Sequence, residues 1–535
     1  MEHSDDLIDT LTTELAALAT QVEVWLSDLR QGRNILPTTY LPDVDAAYTL
    51  LKQGMGRNSD VLLRKIRVPA CPDGPVLVAS VDGLADSQMV DQDIIRPLLT
   101  TRLPPEQWNE GAVTPIHIST SQTWPDILQK LSSGNTLVFA PHLSHVWVID
   151  TVRYPQRSIQ RPITELAVRG AEEAFNEVLL TQRTQIRRRL RSPSLIFHDM
   201  TVGQNQQLPV TIAYLEDIAN PSLVATVINR VNAIQLGGIA QITTLASLIR
   251  DHPRSIFPTI RQTERVDVAH RHLLEGSVLV MMDGDPFVLI APSPLIDFYR
   301  TAMDYSTAWI DASFMRIIRF LGWLMGIYLP ALYVALAEIN PGTLPGSLYV
   351  TMQGSNTGLA FSPIVQIVLM IIVIETLREA ALRLPKALST TIGTVGAIVV
   401  GTAVVKAGFV DPQLIVLMTL TALSLFSTPI YELTTSWRIL GFILLLAAAV
   451  LGLLGMVLVT VAIVAVLTDM RSFGSPYFVP WAPFRASDWP DAIWRLPASD
   501  LWRRSTNARP TKTAWREEDA ATLDAHLRKA QRRSQ

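Results

Sequence analysis

The feature that most constrains this chain is an apolar run near its C-terminus. No charged residue occurs between Arg438 and Asp469, and the run is apolar on every side of a helix. About 20 apolar residues cross the hydrocarbon core of a bilayer, and a helix that is apolar all round needs apolar surroundings. The sequence therefore predicts an integral membrane protein. No comparable run occurs before about Arg316, so more than half of the chain is predicted to form a polar head.

Composition and charge exclude several classes of protein. The chain has 535 residues and a net charge of −3, which gives it no bulk affinity for nucleic acid. Its single cysteine, Cys71, permits no disulfide within the chain, and this fits a reducing compartment. The N-terminal stretch MEHSDDLIDT is acidic and has no apolar core. We therefore expect no signal peptide and a head that stays in the cytoplasm.

The head contains an internal repeat. Residues 75–99, PVLVASVDGLADSQMVDQDIIRPLL, align without gaps on residues 209–233, PVTIAYLEDIANPSLVATVINRVNA. Each segment predicts a strand, an acidic turn and an amphipathic helix. Further on, residues 133–150 align on residues 275–292, and each has the pattern of a β-hairpin. Similarity in a fixed order indicates a duplicated unit.

The predicted fold class is an α/β cytoplasmic head of two related subdomains followed by an α-helical multi-pass transmembrane domain. In chain order we predict an N-terminal helical extension (1–54), α/β subdomain 1 (55–150), a helical connector (151–194), α/β subdomain 2 (195–300), a transmembrane domain (301–470) and a basic cytoplasmic tail (471–535).

Arginine and lysine flank the membrane region on both sides, so both ends are expected in the cytoplasm, which requires an even number of crossings. We predict about four spans, with the segment 361–380 as a re-entrant or interfacial helix; a five-span arrangement is the alternative. The candidate spans are 317–336, 386–405, 413–430 and 439–467.

A charge cluster ends the ambiguous segment 361–380. Glu375, Arg378 and Glu379 occur within about one helical turn, and spacings of three and four residues put them on one face. Charges within a membrane are costly and commonly functional. One interpretation is an ion or ligand pathway, or a contact between subunits. The other is an interfacial helix end whose long side chains reach water.

The segment 389–405 is dense in Gly, Ala and Thr. Small residues let helices approach closely, so the simpler interpretation is a tight packing face. The alternative is a helix near a symmetry axis, where β-branched residues narrow a hydrophobic gate. The gate candidates are Val395, Ile398 and Val399.

Motifs for chemistry are missing from the sequence. The pairs His142/His145 and His270/His272 have no third ligand at metal-binding spacing, and neither a phosphate-binding loop nor a G-x-S-x-G motif occurs. We therefore expect a protein that is not an enzyme and that needs no cofactor or metal.

A set of ordered motifs resembles a known family. They include VRYPQRSI (152–159), ELAVRGAEEAFNE (165–177), DHPRSIFPTIRQTERVD (251–267), DGDPFVLIAP (283–292) and RSFGSPYFVPWAP (471–483). Over about residues 55–485 the chain is similar to the A subunit of GerA-type bacterial spore germinant receptors.

This resemblance implies a function and partners. Members lie in the inner membrane of the endospore and work with a transporter-like B subunit that binds the nutrient and a lipoprotein C subunit. Together they sense nutrients and trigger germination, with early release of monovalent cations. A subunits are thought to form a homo-oligomer that conducts the ions. A non-conducting scaffold, or a transporter-like membrane protein with a regulatory cytoplasmic head, remains the alternative.

Two positions depart from the family pattern. The family usually carries acids about four and nine residues before the position of Glu375, where this chain has Ile371 and Gln366. The resemblance therefore does not supply an ion path through acids at those two positions.

Overall fold

The computed structural model describes residues 39–515 except 41, 56, 115–116, 154–160, 384–401, 403, 428, 498–499 and 501–502. The chain divides into two compact units. Unit 1 comprises residues 1–158, 178–200 and 209–216, and unit 2 comprises 159–177, 201–208 and 217–535. Most of the predicted N-terminal extension and nearly all of the candidate span 386–405 lie outside the described residues.

Unit 1 is built on an antiparallel five-stranded sheet of order β1-β2-β4-β5-β3. The interior strand β2 is buried along its whole length, as its largely apolar pattern predicts. The elements are α1 (Val44–Gly54), β1 (Val61–Ile66), β2 (Val76–Val81), β3 (Ile118–Ser121), α2 (Trp124–Ser132), β4 (Thr136–Phe139), β5 (Val146–Ile149), α3 (Leu179–Arg189), β6 (Leu195–Val202) and β7 (Leu208–Leu215).

Helices α1 and α2 supply the core on one face of this sheet. In α2, Trp124, Ile127, Leu128 and Leu131 are buried at helical spacing, and a proline follows Trp124 in the first turn. Tyr40, just before α1, packs its ring 5.7 Å from that of Phe139 in β4. The C-terminal part of the predicted extension thus contributes to the core of the first subdomain.

The head part of unit 2 repeats part of the topology of unit 1. Its elements are α4 (Pro221–Asn232), α5 (Ile242–Ile249), β8 (Arg261–Thr263), α6 (Val266–Leu274), β9 (Val278–Met282) and β10 (Val288–Ala291). The strand order β9-β10-β8 matches β4-β5-β3.

The register of the two hairpins is also the same. Ser121 pairs with Val146 in unit 1, and Thr263 pairs with Val288 in unit 2, each 142 positions later (263 − 121 and 288 − 146). Helices α2 and α6 begin at residues 124 and 266, which again differ by 142. Equal order and register are what the predicted duplication requires.

The second part of unit 2 is a group of apolar helices. They are α7 (Trp309–Val334, continued by the wider turn Ala335–Ile339), α8 (Gly346–Asn356), α9 (Pro363–Arg383), α10 (Pro412–Phe426), α11 (Tyr431–Leu451) and α12 (Leu453–Asp469). Among the described residues, Trp309–Ile339 and Tyr431–Leu451 are long and apolar enough to cross a membrane, while Pro412–Leu425 and Leu453–Asp469 are shorter apolar helices.

The prediction of one continuous span over 439–467 is wrong. The helix stops at Gly452, whose φ of +61° is a conformation that residues with side chains rarely adopt. Helices α11 and α12 form a tight hairpin there, and they approach so closely that a Cβ on Gly455 would clash with the Ala447 carbonyl oxygen. Glycine is therefore required at this reversal.

The two ends of this hairpin return to one loop of the head. Ser436 Oγ in α11 donates to the Ile256 carbonyl (2.7 Å), and Ser255 Oγ lies 3.5 Å from Met470 Sδ after α12. We call this end of the helices the head pole. The opposite end is the far pole, where Asn340 Oδ1 accepts from the Leu453 backbone N–H (2.9 Å).

Two glycines set the packing of α7 on α10. A Cβ on Gly322 would lie 2.6 Å from Ser427 Oγ, and one on Gly326 would lie 2.9 Å from Leu425 Cδ2. This four-residue glycine spacing allows close approach between apolar helices, which gain little from the hydrophobic effect in lipid.

The segment after α12 folds back on the head part of unit 2. A short hairpin of β11 (Arg471–Ser472) and β12 (Ser475–Pro476) follows the helix. Ser472 Oγ donates to the Thr259 carbonyl (2.6 Å), the Tyr477 carbonyl accepts from the Leu295 N–H (2.9 Å), and Arg504 Nε donates to the Leu274 carbonyl (2.8 Å). Much of the predicted tail is thus integrated into the fold.

Candidate functional site

The charge cluster predicted at the end of segment 361–380 is a three-residue network. Helix α9 places Arg378 Nη1 3.0 Å from Glu375 Oε1. Arg438 of α11 places Nη1 2.6 Å from Glu375 Oε2 and donates from Nη2 to Thr435 Oγ1. The side chains of Arg378 and Arg438 are 13% and 19% exposed, against 40% for Glu375. The carboxylate thus links two helices.

The sequence predicted one of the two ion pairs in this network. The helical spacing of Glu375 and Arg378 predicted their shared face, and the structure brings them together. Arg438 was missed because it lies 63 residues further along the chain. Glu379, the third predicted member, is exposed.

Two cavities adjoin the network. A crevice of about 570 Å³ lies among the helices, and its lining includes Glu375, Arg378 and Arg438. A cavity of about 1640 Å³ lies between the head part of unit 2 and the head-pole helix ends. The two share Arg378, Leu425 and Arg438 in their linings.

The network lies where the two cavities meet. The larger cavity is lined by polar groups that include Glu165, Asp285 and Glu432, whereas the crevice walls are mostly aliphatic. The Glu375 carboxylate bonds to one guanidinium group of α9 and one of α11, and both groups are largely buried. Removing this carboxylate would therefore be costly, because each buried cation would lose a counter-charge.

A second network joins the head part of unit 2 to the first long helix. Asp304, before α7, contacts Arg316 Nε at 3.0 Å and Arg319 Nη2 at 3.1 Å. Asp304 and Arg316 are each only 3% exposed. Burial alone would raise the pKa of Asp304, but the hydrogen bonds and charge of Arg319 and Arg316 outweigh it and lower the pKa to about 2.

The tail enters the same network through Asp491. Its carboxylate contacts Arg316 Nη1 at 2.9 Å and Arg300 Nη2 at 3.4 Å, and it accepts from Tyr305 OH at 2.9 Å. Burial opposes ionisation, yet Arg300 and Arg316 dominate and lower the pKa of Asp491. We call Asp304, Arg300, Arg316, Arg319 and Asp491 the junction network.

A buried histidine adjoins the junction network. His272 of α6 is 1% exposed. Burial is the largest cause of its strongly lowered pKa, and the charges of Arg271, Arg261 and Arg300 act in the same direction. His272 is therefore neutral at physiological pH.

Sequence reasoning used Arg300, Arg316 and Arg319 only as positive flanks of the first span. Their acidic partners were missed because Asp304 is one of many acids before the helix and Asp491 lies 175 residues after Arg316. The arginines themselves were a usable signal in the sequence. An arginine near the start of an apolar helix needs a carboxylate nearby if it is buried.

One of the two departures from the family pattern, Gln366, has a structural role here. Gln366 Oε1 accepts from the Asp411 N–H (2.9 Å), and Asp411 caps α10 while accepting from Ser355 Oγ (2.7 Å). The amide therefore supports a helix start at the far pole.

Two further predictions concern the gate residues and the absence of a metal site. The gate candidates Val395, Ile398 and Val399 lie outside the described residues. Within the described ranges, no three or more His, Cys, Asp or Glu side chains are grouped as metal ligands.

Comparison with known proteins identifies the family. The profile of the "Bacillus/Clostridium GerA spore germination protein" family matches residues 49–507. The chain is 32% identical over 460 residues to spore germination protein GerLA of Bacillus cereus, covering 84% of this chain and 92% of that protein. It is 33% identical over 469 residues to spore germination protein B1 of Bacillus subtilis (strain 168), covering 86% and 96%.

A solved structure also matches part of the chain. It is the crystal structure of the N-terminal domain of the A subunit of the Bacillus megaterium spore germinant receptor GerK3. The identity is 26%, the match covers 49% of this chain and 98% of that one, and the TM-score is 0.35. From the profile match and the two full-length relatives, the chain belongs to the GerA family of spore germination proteins.

Proposed function

We propose that this chain is the A-type membrane subunit of a nutrient-responsive spore germinant receptor. The observation that carries the proposal is the family match, which runs through both the head and the apolar helices. The partners proposed are a transporter-like B subunit that binds the nutrient and a lipoprotein C subunit. The proposed location is the inner membrane of the endospore, with head and tail in the cytoplasm.

The structure supports a route by which the head could act on the helices. The junction network ties residues 300–305 of the head side, the first turns of α7 and the tail at Asp491 with buried ion pairs. A buried pair is costly to break on one side only. Movement of this part of the head would therefore pull on α7 rather than slide past it.

The helix positions support an even number of crossings, and we propose six rather than four. Helix α7 runs from the head pole to the far pole, α11 does the same, and α12 returns. Helices α9 and α10 run from the far pole, near Glu338 and Asp411, to the head pole, near Arg438 and Gly322. The sixth crossing is the span 386–405 that the sequence predicts, which lies almost entirely outside the described residues.

Cysteine accessibility tests this topology. We would replace buried Cys71 with serine and introduce single cysteines at the exposed positions Asp73 in the head, Ser487 in the tail and Ser347 at the far pole. In intact cells, an impermeant thiol reagent should modify Ser347→Cys only. Modification of exactly one of the head and tail positions would contradict an even number of crossings.

We also propose that copies of the chain assemble into a ring that conducts monovalent cations. The cavity at the head pole, lined by Glu165, Asp285 and Glu432, supports a polar entrance there. The purified chain in vesicles should form an oligomer and raise potassium flux above that of protein-free vesicles. A correctly assembled oligomer without flux would favour the scaffold alternative.

A further inference from the structure

A loop of unit 2 presents three aliphatic side chains almost completely to the outside. Ile163, Leu166 and Val168 are 81%, 83% and 87% exposed. Single exposed aliphatics are normal on protein surfaces. Three within six residues, each more than four-fifths exposed, are a local concentration of apolar surface, and such concentrations mark surfaces that are covered in the working protein.

The loop is held in place by two buried charged residues. The Glu264 carboxylate accepts from the N–H and hydroxyl of Thr164 and from the Glu165 N–H. Arg265 donates to the carbonyls of Glu165 (3.0 Å) and Ala171 (2.7 Å). Glu264 and Arg265 are 6% and 1% exposed. The backbone is therefore fixed while its aliphatic side chains project outward.

The loop lies beside the head-pole ends of both candidate spans. A Cβ on Gly170 would lie 2.7 Å from Ser306 Oγ, three residues before Trp309 begins α7. Thr164 and Glu165 line the same cavity as Tyr431, which begins α11. Spans start where lipid head groups lie, and aromatic residues are enriched at that level.

Exposed apolar side chains also lie at the adjacent start of α7. At the start of α7, Trp309, Ile310 and Phe314 are 45%, 61% and 60% exposed. We infer that residues 161–171 are an interfacial anchor that inserts Ile163, Leu166 and Val168 at the boundary between head groups and acyl chains of the bilayer. The inference rests on the membrane placement proposed above.

Charge indicates how the anchor binds. Residues 161–171 contain two arginines and one glutamate, and Glu172 next to them brings the net charge of the region to zero. Arg161 is paired with Glu172 at 2.9 Å and Glu165 with Arg261 at 3.4 Å. Insertion should therefore depend on apolar contact and change little with anionic lipid or salt. This weak dependence on salt and anionic lipid distinguishes the anchor from a basic protein surface that binds membranes electrostatically.

Fluorescence quenching in vesicles tests the anchor. The full chain with Cys71→Ser and Leu166→Cys would carry an environment-sensitive label and be reconstituted into phosphatidylcholine vesicles. Lipids brominated on the acyl chain close to the head group should quench the label. Including 30% anionic lipid should leave this quenching unchanged. Adding Ile163→Asp and Val168→Asp should reduce the quenching at least twofold, because both side chains make almost no contact within the protein.

A label at Val450→Cys on α11, where the native side chain is 75% exposed, tests the membrane placement separately. If lipid quenches Val450→Cys while iodide in water quenches Leu166→Cys, the anchor is refuted and the membrane placement stands. If neither iodide nor lipid quenches Leu166→Cys, and Leu166→Asp reduces the size of the assembly, the loop instead contacts a second copy. If lipid fails to quench Val450→Cys, the membrane placement itself is refuted.

Discussion

Replacing Asp304 with asparagine should weaken the attachment of the head part of unit 2 to α7. The change keeps the shape of the side chain but removes the charge that holds Arg316 and Arg319. A pKa lowered from 3.8 to about 2 corresponds to roughly 2–3 kcal/mol of stabilisation at neutral pH. Removing one partner of a buried pair typically costs about 3–5 kcal/mol. We therefore expect a loss of about 2–5 kcal/mol.

The assay is thermal unfolding of the full chain in detergent, followed by tryptophan fluorescence. At about 2–4 °C per kcal/mol for domains of moderate size, the midpoint should fall by roughly 4–20 °C. The matched control is Asp217→Asn, which breaks a pair with Lys512 whose side chains are 36% and 60% exposed and should cost below about 1 kcal/mol.

Acid should remove the difference between Asp304→Asn and the natural chain. The folded pKa of Asp304 is below its ordinary value, so its stabilisation is complete above about pH 4 and is lost as the pH falls towards 2. A midpoint for Asp304→Asn within 2 °C of the Asp217→Asn control at neutral pH would refute a stabilising role for the junction network.

Three further predictions concern other parts of the chain. Glu375→Ala should remove the carboxylate that Arg378 and Arg438 share and reduce assembly or signalling, measured by complex yield and germination. Glu379→Ala, at a more exposed position, should have a smaller effect; equal effects would contradict the network. Between pH 6.5 and 5.5, His272→Gln should lose about 1 kcal/mol less stability than the natural chain. The reason is that the neutral buried histidine is protonated on unfolding as the pH falls below 6.5; an unchanged pH profile of unfolding would contradict this. Val399→Ala should let cations leak from dormant spores if this residue narrows a pore, and normal ion retention in an assembled complex would count against the gate.

The repeat could be predicted because it is a property of local pattern. Apolar alternation, turns and helix spacing recur in the same order, and the registers Ser121↔Val146 and Thr263↔Val288 follow from them. The apolar run near the C-terminus likewise indicated membrane-type helices, since composition alone decides that.

Other features were not predictable because they depend on positions distant in the chain. Glycine is common in membrane helices, so Gly452 gave no sign that its positive φ reverses the chain. Arg438 and Asp491 reach Glu375 and Arg316 only after the helices pack. The basic tail suggested a solvated segment, yet hydrogen bonds such as Ser472 to Thr259 integrate it into unit 2.

Deletion in the spore-forming host tests the central claim most directly. Spores without this chain should lose the germination response to at least one defined nutrient and regain it when the natural gene is restored. Their response to a non-nutrient trigger should be unchanged, because that route does not pass through the receptor. Normal germination with every nutrient tested, or an equal loss with the non-nutrient trigger, would contradict a role as a nutrient receptor subunit.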